Sequence, residues 1–435
     1  MASLTKFSQR FAAAFAAFAL TLTVAAQEQA APAPSAGFQQ FGDLWGEGAY
    51  LRALASIENG REGNEMLSST YRQARPALDG FVVLNDDLQQ PLSAVDPAEL
   101  ARYDNAQAMD AVAEIVKRAR NTRIVIVNEA HDNPRDRAFV LAVAEALRPL
   151  GYTHYAAETL SNFGTDEQKA ERLSALVSKG YPLRGTGWYS LEPMFGYLLR
   201  RVVQLGYQPV SYEADERATD APPLPPQEQI ARREQGQAEN LARAISAAGP
   251  DAKFLIHVGY SHVTERPITG SVDGKTRFSI EWMAARLAGL AGIDPLTIDQ
   301  TDLGEYSARP GGRALYAALA GRVGDRPKVF LVGKEGVGFG VHGNATDLQV
   351  VHPPIRALNG RPDWLAHTGR EALSIPATLL PKTGRRLIQI FAQTDGEDAI
   401  VPIDQVLVNA GGQASPVVYA PKGVTVRWAV MDETG

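Results

Sequence analysis

Hydrophobic positions follow two rhythms along most of this 435-residue chain. Short unbroken apolar runs alternate with longer stretches in which apolar residues recur every three or four places. The clearest junction of the two starts at Arg123. Ile124 to Val127 is unbroken and apolar, the pattern of a strand buried on both faces. It runs into Asn128, Glu129, Ala130, His131 and Asp132. Asn133 followed by Pro134 then reads as a helix N-cap with proline in the first helical position. Phe139, Val140, Val143, Ala144 and Leu147 form the buried stripe of that helix, and Gly151 ends it.

The same unit recurs. Tyr155 to Thr159 predicts a short strand closing on Glu158, and Tyr207 to Tyr212 another, closing on Glu213 and Asp215. Lys253 to Val258 predicts a third, leading into Gly259, Tyr260, Ser261 and His262. Leu296 to Asp299 and Lys328 to Val332 extend the set. Strands alternating with helices imply an α/β fold, a mostly parallel sheet flanked by helices. Ahead of it, residues from about 41 to 120 have a helical texture. Ala106 to Arg120 predicts a helix with Met109, Val112, Ile115 and Val116 on one face. Two insertions interrupt the alternation. Thr165 and Gln168 form a capping-box pattern that opens a helix towards Gly180. With the loop through Gly185, Gly187 and Trp188, that helix is a candidate lid. Pro222 to Pro226 reads as a stiff linker to a polar helix, Gln227 to Ala247. After about 360, strict alternation takes over at Arg386–Phe391, Ala399–Leu407 and Val424–Val430. The pattern divides the chain into an α/β part with a helical N-terminal portion, 41–355, and a small β-rich domain, 356–435.

The N-terminus changes the picture by giving an address. Lys6 and Arg10 precede an apolar run from Phe11 to Val24, and small residues at Val24, Ala25 and Ala26 suit signal peptidase. The run is short for a membrane span. Residues 1–26 therefore read as a signal peptide and 27–40 as a disordered leader. Removing Lys6 and Arg10 with the signal moves the net charge from −6 to −8. An acidic surface argues against nucleic-acid binding and offers no basic patch for anionic lipid. The chain has no cysteine, which excludes a lipoprotein anchor, disulfides and thiolate metal sites. The expected location is periplasmic or secreted, with no membrane anchor once the signal is cleaved.

Candidate chemistry gathers at one place. Glu129, His131, Glu158 and His262 all stand at or just beyond the C-terminal ends of predicted strands, the edge of a parallel sheet where ligands bind. Glu129 and His131 are two apart, so an extended backbone points both to one side. A strand-end glutamate often only caps the next helix, and a lone histidine is often only packed; coincidence at one edge singles these four out. They can act as a general acid/base cluster, a carboxylate fixing the imidazole tautomer and raising its basicity. They can equally hold a divalent metal such as manganese, zinc or cobalt through nitrogen and oxygen ligands. His257, inside an apolar run, reads as a hydrogen-bonded core residue, and His154 stands at the wrong edge. Glu213 and Asp215 are open to either role. Arg233, Gln237 and Asn240 share one face of the polar helix, either solvated or turned to the cleft, where Arg233 could clamp a carboxylate or stabilise an oxyanion. No His-Glu-x-x-His, Gly-x-Ser-x-Gly or phosphate-binding glycine loop is present.

The series Asn128-Glu129-Ala130-His131, then Glu158, then Gly259-Tyr260-Ser261-His262 resembles the superfamily that joins erythromycin esterases, ChaN-like haem-binding proteins and TraB/TIKI peptidases. The segment Arg233-Glu234-x-x-Gln237-Ala238-x-Asn240 is similar to an Arg-Glu-x-x-Met-Ala-x-Asn stretch of the esterase-like branch. The resemblance spans roughly residues 105–335. It departs where Asn128 replaces a glycine and Gln237 a methionine, and His257 and His262 stand further apart than the paired late histidines of the erythromycin-esterase pattern. It implies an exported hydrolase of an ester or amide bond in a small molecule or peptide. His131 would be base or metal ligand, Glu129 and Glu158 would orient it or share the metal, and His262 would be a second base or ligand. Arg233, with Asn240 and Tyr260, would contact substrate. The ChaN-like branch implies the alternative of haem or iron binding without turnover, for which Tyr260 and Tyr212 are available ligands.

Overall fold

The computed structural model describes residues 36–435 apart from 85–88, 161–163, 215–223, 273–275, 310, 397–399, 413–415 and 434–435. The expected signal peptide, residues 27–35 of the leader, Asp215, Pro222 and Pro223 lie outside the described residues.

Six strands make a parallel array: β2 (Ile124–Glu129), β3 (Tyr152–Ala157), β4 (Gln208–Val210), β5 (Lys253–Gly259), β8 (Leu296–Asp299) and β11 (Leu348–Val351). Their order across the sheet is β11-β8-β2-β5-β3-β4. The sheet continues antiparallel through β9 (Lys328–Val332), which pairs β1 (Gln107–Asp110) and β10 (Glu335–Gly336). Helices cover both faces, so the fold is α/β. Alternate residues of β2 show why its run is unbroken. Val125 and Val127 face a core built with Phe139, Val140, Val143 and Leu147 of the helix Pro134–Leu147. Ile124 and Ile126 face the other, built with Ala238 and Leu241 of the helix Pro226–Ala248 and with Met283 and Leu287. Every β2 side chain thus leaves water, and that burial is the main force holding the central strands in register.

Several elements differ from expectation for local reasons. The helix expected over Ala106–Arg120 begins only at Ala111; residues 107–110 form edge strand β1, leaving Met109 exposed. Asp110 is the punctuation, its carboxylate accepting the Ala113 N–H at 3.0 Å and capping the helix. The expected leader is also shorter than 27–40. Ala36–Gly46 is helical, and Phe38 and Phe41 are buried with Trp45 and Tyr50 in a satellite core that includes Trp188 and Leu191. Strong aromatic burial there overrides the leader-like composition upstream. The Thr165/Gln168 capping box is formed and opens the helix Asp166–Lys179, which Gly180 ends in the left-handed region. Among the described residues, no helix is long and apolar enough to cross a membrane.

The C-terminal part is β-rich. It holds a three-stranded antiparallel sheet of β15 (Arg385–Ala392), β16 (Asp404–Asn409) and β18 (Val426–Asp432), and a pair, β14 (Arg370–Ser374) with β17 (Val417–Pro421). Its inner residues Ile388, Ile390, Val406 and Val418 belong to the same continuous core as Met194, Phe195 and Leu198 of the helix Pro193–Gln204. The two parts therefore share a core across the expected 355/356 boundary.

Candidate functional site

The three central strands deliver the site. β2 and β5 are paired so that Glu129 lies opposite Gly259, and β5 and β3 so that His257 lies opposite Ala157, one residue before Glu158. Gly259 is the point where the groups meet. A side chain there would place Cβ 2.6 Å from His131 Nε2 and 3.0 Å from Glu158 Oε2. Its φ of −87° suits any residue, so glycine is required by the close approach and not by the backbone.

One half of the site is built around Glu129. His131 Nδ1 donates to Glu129 Oε1 at 2.9 Å, which turns Nε2 towards Gly259. Arg137, one turn into the following helix, grips the same carboxylate through Nε (2.9 Å) and Nη2 (3.0 Å), and its Nη2 also holds the His131 carbonyl at 2.8 Å. His257 Nε2 stands 2.9 Å from Glu129 Oε2, and the Tyr155 hydroxyl meets His257 Nδ1 at 2.7 Å. Burial by itself would raise the Glu129 carboxyl, but Arg137, His257 and the hydrogen bond from His131 hold it well below the usual range. Glu129 is therefore a permanent carboxylate, and His131 has its tautomer fixed. Tyr189 stacks on the His131 ring at 4.1 Å and Tyr260 meets it edge-on at 5.0 Å, so the imidazole is held on both sides. Tyr189 comes from the loop expected to be a lid. Gly187 in that loop lies against the end of β3, where a Cβ would collide with the Thr159 carbonyl.

The other half is built around His262. Its Nδ1 donates to Glu234 Oε2 at 2.7 Å, and Glu234 is fixed by the Met283 N–H at 2.8 Å. Arg233 bridges the halves: Nη2 donates to Glu158 Oε1 and to Glu213 Oε2, each at 2.6 Å, while Nη1 lies 3.2 Å from His262 Nε2. Glu158 Oε2 also accepts the Gly259 N–H at 2.7 Å. Burial raises the Glu158 carboxyl, but the charges of His262, Arg233 and His131 outweigh it and bring it down to about 2. For His262, burial lowers the imidazole pKa, while Glu234 and Glu158 raise it by more, so the net shift is upward. The arrangement is two carboxylate-backed imidazoles, His131 and His262, linked through Glu158 and the Arg233 guanidinium.

The structure brings Glu129, His131, Glu158, His262 and Arg233 together, and it changes the roles of several neighbours. Arg233 was expected to meet a substrate charge, yet two of its nitrogens are committed to Glu213 and Glu158. Asn240 faces away from substrate and ties the chain at the end of β4, donating to the Tyr212 and Glu213 carbonyls at 2.9 and 3.0 Å. Tyr260 supports His131 through its hydroxyl, which accepts the His131 N–H at 3.2 Å, and Tyr212 is buried with its hydroxyl on the His257 carbonyl. His257, read as a core residue, is indeed buried and hydrogen-bonded, through Nδ1 to Tyr155, and its Nε2 lies beside the site's own carboxylate, Glu129. Arg137, Glu192 and Glu234 were missed. Arg137 lies in a helix, and Glu192, which accepts from Arg137 Nη1 at 2.9 Å, caps the helix Pro193–Gln204, so both charges resemble surface positions; Glu234 sits in a charged run that reads as solvated. The four expected ligands do not form one compact metal set. Glu129 is occupied by Arg137 and His131, and Glu158 by Arg233 and the Gly259 N–H.

A different group has that compactness. Among the described residues, Asp299 at the end of β8, Asp302 and His342 are a buried set able to hold a metal ion. His342 Nδ1 lies 3.4 Å from Asp299 Oδ1 and 3.1 Å from Asp302 Oδ2. No sequence motif marks it, because its members are up to 43 residues apart on separate loops.

No protein-family model and no curated protein matches this chain. Two solved structures align with part of it. One, described as bacterial protein toxins, shares 12% identity and a TM-score of 0.32 over 59% of this chain and 57% of that one. RRSP, a MARTX toxin effector domain from Vibrio vulnificus, shares 12% identity and a TM-score of 0.28 over 55% of this chain and 58% of its own. Likenesses this distant carry no argument about activity. Fold and site together define an α/β protein with a buried Glu/His/Arg cluster at the carboxyl edge of its parallel sheet.

Proposed function

We propose that this chain is an exported hydrolase of ester or amide bonds that works by acid–base chemistry without a metal at its reaction centre. The observation that carries the reading is the pair of carboxylate-backed histidines, His131 on Glu129 and His262 on Glu234, both set beside Glu158. In this reading His131 Nε2 takes a proton from water as the water oxygen bonds to the substrate carbonyl carbon. Glu129 stabilises the imidazolium that forms. The oxyanion that develops is stabilised by Arg233, which Glu213 and Glu158 hold in place. His262, its pKa raised, then protonates the leaving oxygen or nitrogen as the bond to carbon breaks. Once His262 has lost that proton, Nε2 becomes an acceptor for Arg233 Nη1. The motif resemblance and the signal-like N-terminus support the same reading and place the substrate outside the cytoplasm.

A panel of ester and peptide substrates offered to the mature protein and to His131→Ala tests this. Turnover by wild type should fall roughly 10²–10⁴-fold in the variant with the melting temperature little changed. Full activity in His131→Ala would remove the proposal.

A further inference from the structure

We propose that Asp299, Asp302 and His342 form a second site, separate from the hydrolytic centre, that binds one divalent cation of the zinc type. The ligand set is one imidazole nitrogen and two carboxylate oxygens, with no sulfur, which suits zinc and its neighbours among first-row metals. The spacing fits: nitrogen and oxygen ligands about 2.0–2.1 Å from a tetrahedral ion lie roughly 3.3 Å from one another. The distances from His342 Nδ1 to the two carboxylate oxygens are 3.1 and 3.4 Å.

The direction of His342 is the second observation. Its Nδ1 is fully buried and makes no properly angled hydrogen bond, although two carboxylates lie close. The surroundings hold each ligand, and Asp302 Oδ2 also accepts the His342 backbone N–H at 3.3 Å. His342 Nε2 lies 3.2 Å from the Ser261 hydroxyl, which can accept its proton in the tautomer that leaves Nδ1 as a ligand. Asp299 Oδ2 accepts from Gln349 Nε2 at 2.8 Å, and Asp302 Oδ1 accepts from Arg309 Nε at 2.8 Å. Asp299 Oδ1 is itself oriented by Asn128 Nδ2 and by the Thr301 N–H and hydroxyl; the hydroxyl is the donor that rotates away when a cation binds. Gly340, with φ 65°, lets the backbone pass where a Cβ would lie 2.6 Å from Asp302 Oδ2.

The site joins three segments: the end of β8, the turn at Gly340–His342 and, through Ser261, the turn after β5 that carries His262. A cation there would brace that turn through His342 and Ser261. Its role is positional, and the residues that do the chemistry proposed above are not its ligands.

The test uses the whole mature chain, stripped with a chelator and then titrated with zinc chloride. Bound metal and melting temperature are read for wild type, Asp302→Asn and His131→Ala, with circular dichroism as a check of folding. Roughly one equivalent in wild type and in His131→Ala, with a raised melting temperature, and almost none in Asp302→Asn, is the expected result. No bound metal and no melting shift in wild type would overturn the proposal and leave His342 as a protonated partner of the two aspartates. Metal kept by Asp302→Asn but lost by His131→Ala would overturn it too, and would place the ion at the hydrolytic centre. Should Asp302→Asn fail to fold, X-ray absorption on zinc-loaded wild type decides: one imidazole supports this site, and two point to His131 and His262.

Discussion

Glu158 shows how much of this site is fixed by charge. Its carboxyl is buried, and without partners burial would favour the neutral form. His262, Arg233 and His131 reverse that and take it to about 2. A folded pKa below the unfolded value of 4.5 stabilises the native state above that value, and the contribution fades as pH falls through about 2. Glu158→Gln lacks it. The stability gap between wild type and Glu158→Gln should be widest near neutrality and should close as pH falls from 4.5 towards 2, as urea midpoints at several pH values will show. A gap independent of pH would mean that Glu158 is not the charged centre described. At this scale the sequence was partly legible. Glu129, His131, Glu158 and His262 stand out because strand ends converge. Glu234 and Arg137 do not, because a buried helical charge and a solvated one have the same local pattern, and only tertiary packing tells them apart.

At the scale of elements, the turn after β5 is the most constrained segment. Gly259 admits no side chain because the His131 ring and Glu158 occupy the space its Cβ would take, while its φ is ordinary. Gly259→Ala should therefore leave the backbone path intact, cost about 1–3 kcal/mol by overpacking, and displace the histidine. Hydrolysis should fall about 10²-fold or more, the scale of loss that follows an ångström of misplacement. Parallel measurement of melting and turnover checks this; an active Gly259→Ala would show that His131 is placed elsewhere during catalysis. Strands β2, β5 and β8 were readable from their apolar runs, since burial on both faces leaves no polar alternation to confuse the pattern, whereas β11, short and interrupted by Gln349, was not singled out. Strand β1 was not, because Gln107–Asp110 carries no strand pattern of its own and owes its form to pairing with β9.

For the whole molecule, the shared core is the feature that sequence could not reveal. A change of texture near residue 360 is visible along the chain, but contact between Phe195 and the C-terminal strands is a fact of three dimensions. Removing residues 356–435 would bare Met194, Phe195 and Leu198 to water. The truncated chain should lose its cooperative thermal transition and bind a hydrophobic dye; a sharp transition close to that of the full chain would show that the α/β part stands alone.

The central claim is that His131 and His262 act as one device around Glu158. Groups that work as a unit lose activity non-additively. The decisive measurement is kcat on the best ester or amide substrate for His131→Ala, His262→Ala and the double variant. The account predicts that each single change removes nearly all turnover and that the double variant is scarcely worse than either. Losses that multiply, or a single variant that retains wild-type turnover, would contradict it.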